Sequence, residues 1–141
     1  MIALRLVIDT NVLVSAALKP ESLQRTVLLI AITKPARFYV SQEILDEYAG
    51  VLARRELRIR KGARLQILEL VKNRSHLVVP RRKLHAASDL DDNIFIECAD
   101  AARADFLITG NRRHFPAFWK GTKMVSPREF VEAAAPHLLG E

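Results

Sequence analysis

A single cysteine, Cys98, stands in this chain of 141 residues. No disulfide can close within one copy, and no cysteine-rich zinc site can assemble. The four histidines, His76, His85, His114 and His137, are scattered without metal-ligand spacing, so a histidine zinc site is not expected either. Long apolar runs are also missing. The mildly apolar amino terminus is interrupted by Arg5, Asp9 and Asn11, which argues against a signal peptide or a membrane span and makes the cytoplasm the expected compartment. There is no internal repeat, low-complexity tract or linker. The expectation is one domain over 1–141, a length able to bury roughly two-thirds of its unfolded surface.

Half of the residues are hydrophobic and 27% are charged, which excludes extended disorder. The 22 basic and 16 acidic residues give a net charge of +6. Their distribution says more than the total. Between Arg54 and Lys83 lie eleven basic residues against Glu56 and Glu69, a net +9, so the remainder is net negative. Arg54, Arg55, Arg58, Arg60 and Lys61 open that stretch and are candidate nucleic-acid-binding residues, because concentrated cations suit a phosphate backbone. The alternative for the run is a solvated helix face. It contains no aromatic residue, so base stacking within it is not expected.

Apolar periodicity and breakers divide the chain into alternating strands and helices. Strands are expected at Leu4–Ile8, Phe38–Val40, His76–Val79, Asp105–Thr109 and Lys123–Val125. Helices are expected from Glu21 to Thr33, from a Ser41 cap to about Arg55, and over Ala63–Lys72. Two more are expected from a Ser88 cap to about Arg103 and from Ser126-Pro127 to about Ala135. Alternation of this kind gives a parallel sheet of four to five strands covered on both faces, a three-layer α/β/α sandwich.

Asp9 directly follows the apolar run Leu6-Val7-Ile8. An ionised carboxylate there cannot enter the core cheaply, and ligands of open parallel sheets bind outside the carboxyl ends of the strands. Asp9 is thus either a metal or substrate ligand or a turn residue capping nearby N–H groups. Glu47 lies in the second expected helix, Asp92 in the first turn of the helix after the basic stretch, and Asn111 after the fourth strand. If the sheet is parallel, Asp9 and Asn111 sit side by side. Carboxylates gathered in one cleft repel one another unless a cation intervenes, and oxygen-only donors suit Mg²⁺ or Mn²⁺. Metal-assisted phosphodiester hydrolysis is the chemistry this serves best. Each acid also has a plain role: a helix-start Asp favours the helix dipole, an exposed Glu is ordinary, and Asn111 suits a turn beside Gly110. Cys98 and Trp119, with Phe118, are read as core residues, and His114 as packing or capping a turn.

Four blocks, VIDTNVLVSA at 7–16, VSQEILDEYAGVL at 40–52, DLDDNIFIECADAARADFLITGN at 89–111 and RRHFP at 112–116, occur in the order and spacing of the PIN-domain family. The chain resembles that family, in particular its bacterial toxin-component branch (VapC-like), over nearly its whole length. The resemblance implies a metal-dependent ribonuclease with Asp9 and Asp92 as main ligands of Mg²⁺ or Mn²⁺. Glu47 would act directly or through water. Thr10, Asn11, Ser15 and Thr109 would orient the acids by hydrogen bonds. The family's fourth acid aligns with Asn111, whose amide brings no charge. The resemblance also implies an RNA substrate, an antitoxin protein partner and a homodimer. Two other readings stand beside it: a non-catalytic nucleic-acid-binding module, and a phosphatase of small esters. The second lacks the further Asp two residues after Asp9.

Overall fold

The computed structural model describes residues 3–139. Its strands are β1 (Arg5–Ile8), β2 (Arg37–Val40), β3 (Ser75–Leu77), β4 (Phe106–Ile108), β5 (Phe118–Trp119) and β6 (Thr122–Val125). Its helices are α1 (Thr10–Leu18), α2 (Leu23–Ala31), α3 (Gln42–Leu52), α4 (Lys61–Arg74), α5 (Asn93–Ala102) and α6 (Pro127–Ala134). One sheet runs β3-β2-β1-β4-β6-β5. Five strands are parallel, as expected. The short β5, which sequence periodicity did not register, pairs antiparallel with β6 and makes the sheet mixed.

Leu6, Val7 and Ile8 are all fully buried. Successive strand residues point to opposite faces, so both faces of β1 are covered. Helix α5 packs across β1, β2 and β4, while α6 packs on β4 and β6 and touches α2, which in turn packs on α1. The result is the expected α/β sandwich, with β1 and β4 at its centre.

Helix starts follow side-chain capping. The Ser22, Ser41 and Ser126 hydroxyls accept the N–H groups of Arg25, Ile44 and Glu129, and Glu129 returns a bond to the Ser126 N–H. In α3, Ile44, Tyr48 and Leu52 recur at intervals of four and are buried, fixing which face meets the core.

Three expectations need correction. Helix α1 was not anticipated: it begins immediately after Asp9, whose carboxylate accepts the Thr10 N–H, and its Val12, Leu13, Val14 and Ala16 are all buried. The cap before α5 is Asp89, not Ser88: its side chain accepts the Asp91 N–H and opens a 3₁₀ turn over Leu90–Asp92 that runs into α5. The Ser88 hydroxyl bonds the His114 carbonyl instead. Phe118 is 60% exposed and Trp119 half-buried, so neither is a full core residue. Cys98 is one: it is fully buried, and burial pushes its thiol up to about 12.

Candidate active site

The carboxyl ends of β1 and β4 are neighbours, and the Asp9 N–H donates to the Ile108 carbonyl at 2.9 Å. This register puts Asp9 beside Thr109. The Thr109 hydroxyl donates to Asp9 Oδ2 at 2.7 Å and accepts the Asn111 N–H at 2.9 Å, while Asp9 Oδ1 accepts the Thr10 N–H at 2.7 Å. Thr10 extends the chain of bonds: its hydroxyl donates to Glu47 Oε2 at 2.8 Å. Glu47 is half-buried on α3, and the neighbouring Tyr48 hydroxyl ties that helix to the Ile8 carbonyl at the end of β1. Asp9, Thr10, Glu47 and Thr109 therefore form one hydrogen-bonded unit drawn from two strand ends and two helices.

Asp9 is only 4% exposed. Burial pushes its carboxyl up to about 6. The Thr109 and Thr10 hydrogen bonds pull against that shift, and the charges of Asp92 and Glu47 add to it. Asp92 is pushed up as well, first by burial and then by Asp89, with His114 opposing and Glu47 adding. The Glu47 charge thus adds to the upward shift of both Asp9 and Asp92.

His114 Nδ1 lies 3.3 Å from Asp92 Oδ2. Ligand atoms of Asp89, Asp92 and His114 all fall within 4.8 Å of one another. His114 was expected only to pack or cap a turn. No local spacing could pair it with Asp92, because the contact is made by two separate loops joined through Ser88 and the His114 carbonyl. Asp89 carried a signal in its three-residue spacing from Asp92.

The remaining expected site residues divide. Asn11 Oδ1 accepts the Gly110 N–H at 3.3 Å, tying α1 to the turn after β4. Among the described residues, the side chains of Ser15 and Asn111 make no hydrogen bond to an acid; Ser15 is half-buried and Asn111 is exposed. Arg54, Arg55, Arg58, Arg60 and Lys61 are all exposed between α3 and the start of α4. Asp9, Glu47 and Asp92 offer carboxylate oxygens, the hard donor type that suits a divalent cation, yet among the described residues the group of possible ligands within 4.8 Å of one another includes only Asp92 of the three, with Asp89 and His114. Among the described residues no helix is long and apolar enough to cross a membrane.

Comparison with known proteins identifies relatives of the chain and of its fold. An uncharacterised protein of Methanocaldococcus jannaschii is 29% identical over 143 residues, covering 93% of this chain and 92% of that protein. Among solved structures, VapBC2 from Rickettsia felis bound to a DNA fragment from their promoter shares the fold, with a TM-score of 0.60 at 16% identity. The match covers 87% of this chain and 98% of that one. The PIN domain family model matches residues 5–113, a span that runs from the first residue of β1 through Asp9, Glu47, Asp92 and Asn111 and stops one residue before His114. By that match the chain belongs to the PIN domain family.

Proposed function

We propose that this PIN domain, acting as one domain over the whole chain, is a metal-dependent endoribonuclease that hydrolyses RNA phosphodiester bonds at Asp9, Glu47 and Asp92. The observation that carries the reading is the buried Asp9 carboxylate, held by Thr109 and Thr10 at the carboxyl end of the sheet within the field of two further acids. The Thr10 hydroxyl donates to Glu47 and the Thr109 hydroxyl to Asp9, so two of the acids are held in place without reorganising. Asp9, Glu47 and Asp92 would hold Mg²⁺ or Mn²⁺, which supplies Lewis acidity toward water and a phosphate oxygen. His114 positions Asp92 from the rim. Purified protein incubated with end-labelled RNA should cleave it in Mg²⁺ or Mn²⁺ and stop on addition of EDTA. The exposed Asn111 amide, unconnected to the acids, favours the second reading of a binding module, which would retain RNA and cleave nothing in either ion.

The exposed Arg54, Arg55, Arg58, Arg60 and Lys61 would contact the RNA backbone. Replacing the first three by Ala should weaken RNA binding and lower the slope of log affinity against log salt by about 2, at roughly 0.7 per lost single-strand phosphate contact. The melting temperature should change little, since all three are exposed. Unchanged affinity in a filter-binding salt series would make the run a solvated face.

The likeness to VapBC2 supports reading the chain as the toxin component of a toxin–antitoxin pair acting in the cytoplasm. Its antitoxin would insert a segment near the acidic cleft, and a homodimer would set two basic surfaces across one RNA. A strict monomer by size-exclusion chromatography at micromolar concentration would exclude the dimer.

A further inference from the structure

At the other edge of the sheet, ahead of β4 and β6 rather than behind them, a cavity of about 580 Å³ opens between the end of α5 and the β5–β6 turn. Arg81, Arg82, Arg103 and Lys120 line it together with Trp119 and Asp100. Asp100 Oδ1 accepts the Trp119 indole N–H at 3.1 Å and lies 3.1 Å from Lys120 Nζ and 3.4 Å from an Arg82 guanidinium nitrogen. Burial pushes this carboxyl up, but the three donors prevail and hold it at about 2, so the knot stays charged at neutral pH. It fixes the indole with the Arg82 guanidinium and the Lys120 ammonium each 5.9 Å from the ring centre.

The second carboxylate of the lining, Asp105, is taken by the Arg5 N–H at 2.8 Å. Arg81 and Arg103 have no carboxylate partner among the described residues. The last turn of α5 would ordinarily repel an anion through its free carbonyls. Here the carbonyls of Ala99, Asp100 and Ala102 are engaged by the Ala104 N–H, the Arg103 N–H and the Arg5 Nε–H. The cleft therefore combines spare positive charge with a fixed indole and a guanidinium plane, the two surfaces on which unpaired bases stack. Its volume is in the range of small-ligand pockets, roughly 300–1,000 Å³. The fold also supplies what the basic stretch lacks in sequence, an aromatic ring set against its carboxyl-terminal end at Arg81 and Arg82.

We propose that this cleft binds a nucleotide unit, its phosphate on Arg81, Arg103 and Lys120 and its base against Trp119 and Arg82, at a place separate from the acidic site. The binding does not depend on the acids being catalytic. Trp119 is the chain's one tryptophan, so its fluorescence reports on this cleft alone. The full chain in EDTA is titrated with AMP, with a short single-stranded oligoribonucleotide and with inorganic phosphate. Saturable quenching by AMP or by the oligonucleotide is expected. Quenching by AMP alone identifies a free nucleotide, and tighter quenching by the oligonucleotide identifies an RNA strand. Arg81→Glu, at an exposed and unpaired position, should weaken the affinity roughly tenfold, and Arg81→Lys should restore most of it. No saturable change, equal quenching by inorganic phosphate, or quenching unaltered in Arg81→Glu overturns the proposal. None of these readouts requires RNA cleavage, so failure here and failure of the nuclease reading are distinguishable.

Discussion

Asp9→Asn is expected to abolish RNA cleavage and, at neutral pH without metal, to make the protein more stable than the wild type. Burial raises the folded-state pKa of Asp9 from 3.8 to about 6. Between those values the folded protein binds more protons than the unfolded chain, so stability falls as pH rises from about 4 to about 6 and stays low above that. The difference corresponds to about 3 kcal/mol for this nearly buried group. Asn keeps an oxygen to accept the Thr10 N–H and carries no charge. The gain should therefore be about 1–3 kcal/mol near neutral pH and vanish near pH 4. On the proposed function a divalent ion should invert the order, by binding and stabilising the folded wild type while the variant gains little. Calorimetric melting at both pH values, with Mn²⁺ and with EDTA, checks the argument. A sharp fall in melting temperature at neutral pH in EDTA would make Asp9 a structural cap of α1.

Thr109→Val should have the opposite effect on stability and a distinct effect on pH dependence. Thr109 is fully buried, and its hydroxyl both donates to Asp9 and accepts from Asn111. Val fills nearly the same space but leaves a buried carboxylate oxygen short of a partner, at about 1–3 kcal/mol, while the N–H of the exposed Asn111 can turn to water. The lost bond is also the largest influence opposing burial at Asp9, so the Asp9 pKa should rise further above about 6. The acid limb of the cleavage–pH profile should move to higher pH, and the loss of stability should grow as pH increases. Thr109→Ser keeps the hydroxyl and should restore the profile. A profile unmoved in Thr109→Val would mean that this hydroxyl does not set the charge state of Asp9.

Much of the scaffold was legible in the sequence because local chemistry and global fold agree. The apolar runs of β1, β2, β4 and β6, the Ser41 cap and the Ser126-Pro127 helix start each announce an element that forms. Helix α1 was not legible because Val12, Leu13, Val14 and Ala16 leave no polar stripe, and such a segment does not show the amphipathic period of a surface helix. Strand β5 has only two residues, too few for a period. At the site, Asp9, Glu47 and Asp92 were visible as acids near strand ends, and the fold links Asp9 to Glu47 through Thr10. Ser15 carried no comparable geometric support, since periodic spacing places a residue on a helix without saying what its side chain meets. The His114–Asp92 contact and the Trp119–Asp100 knot join segments distant in sequence, where no local pattern operates.

The most direct test is cleavage of one end-labelled RNA mixture by wild type and Asp9→Asn, prepared identically, with Mg²⁺, with Mn²⁺ and with EDTA. The account expects ion-dependent cleavage by the wild type, none in EDTA, and none by the folded variant under any condition. Equal cleavage by both proteins, or wild-type cleavage that persists in EDTA, would contradict the assignment of the acidic cleft as a metal-dependent nuclease site.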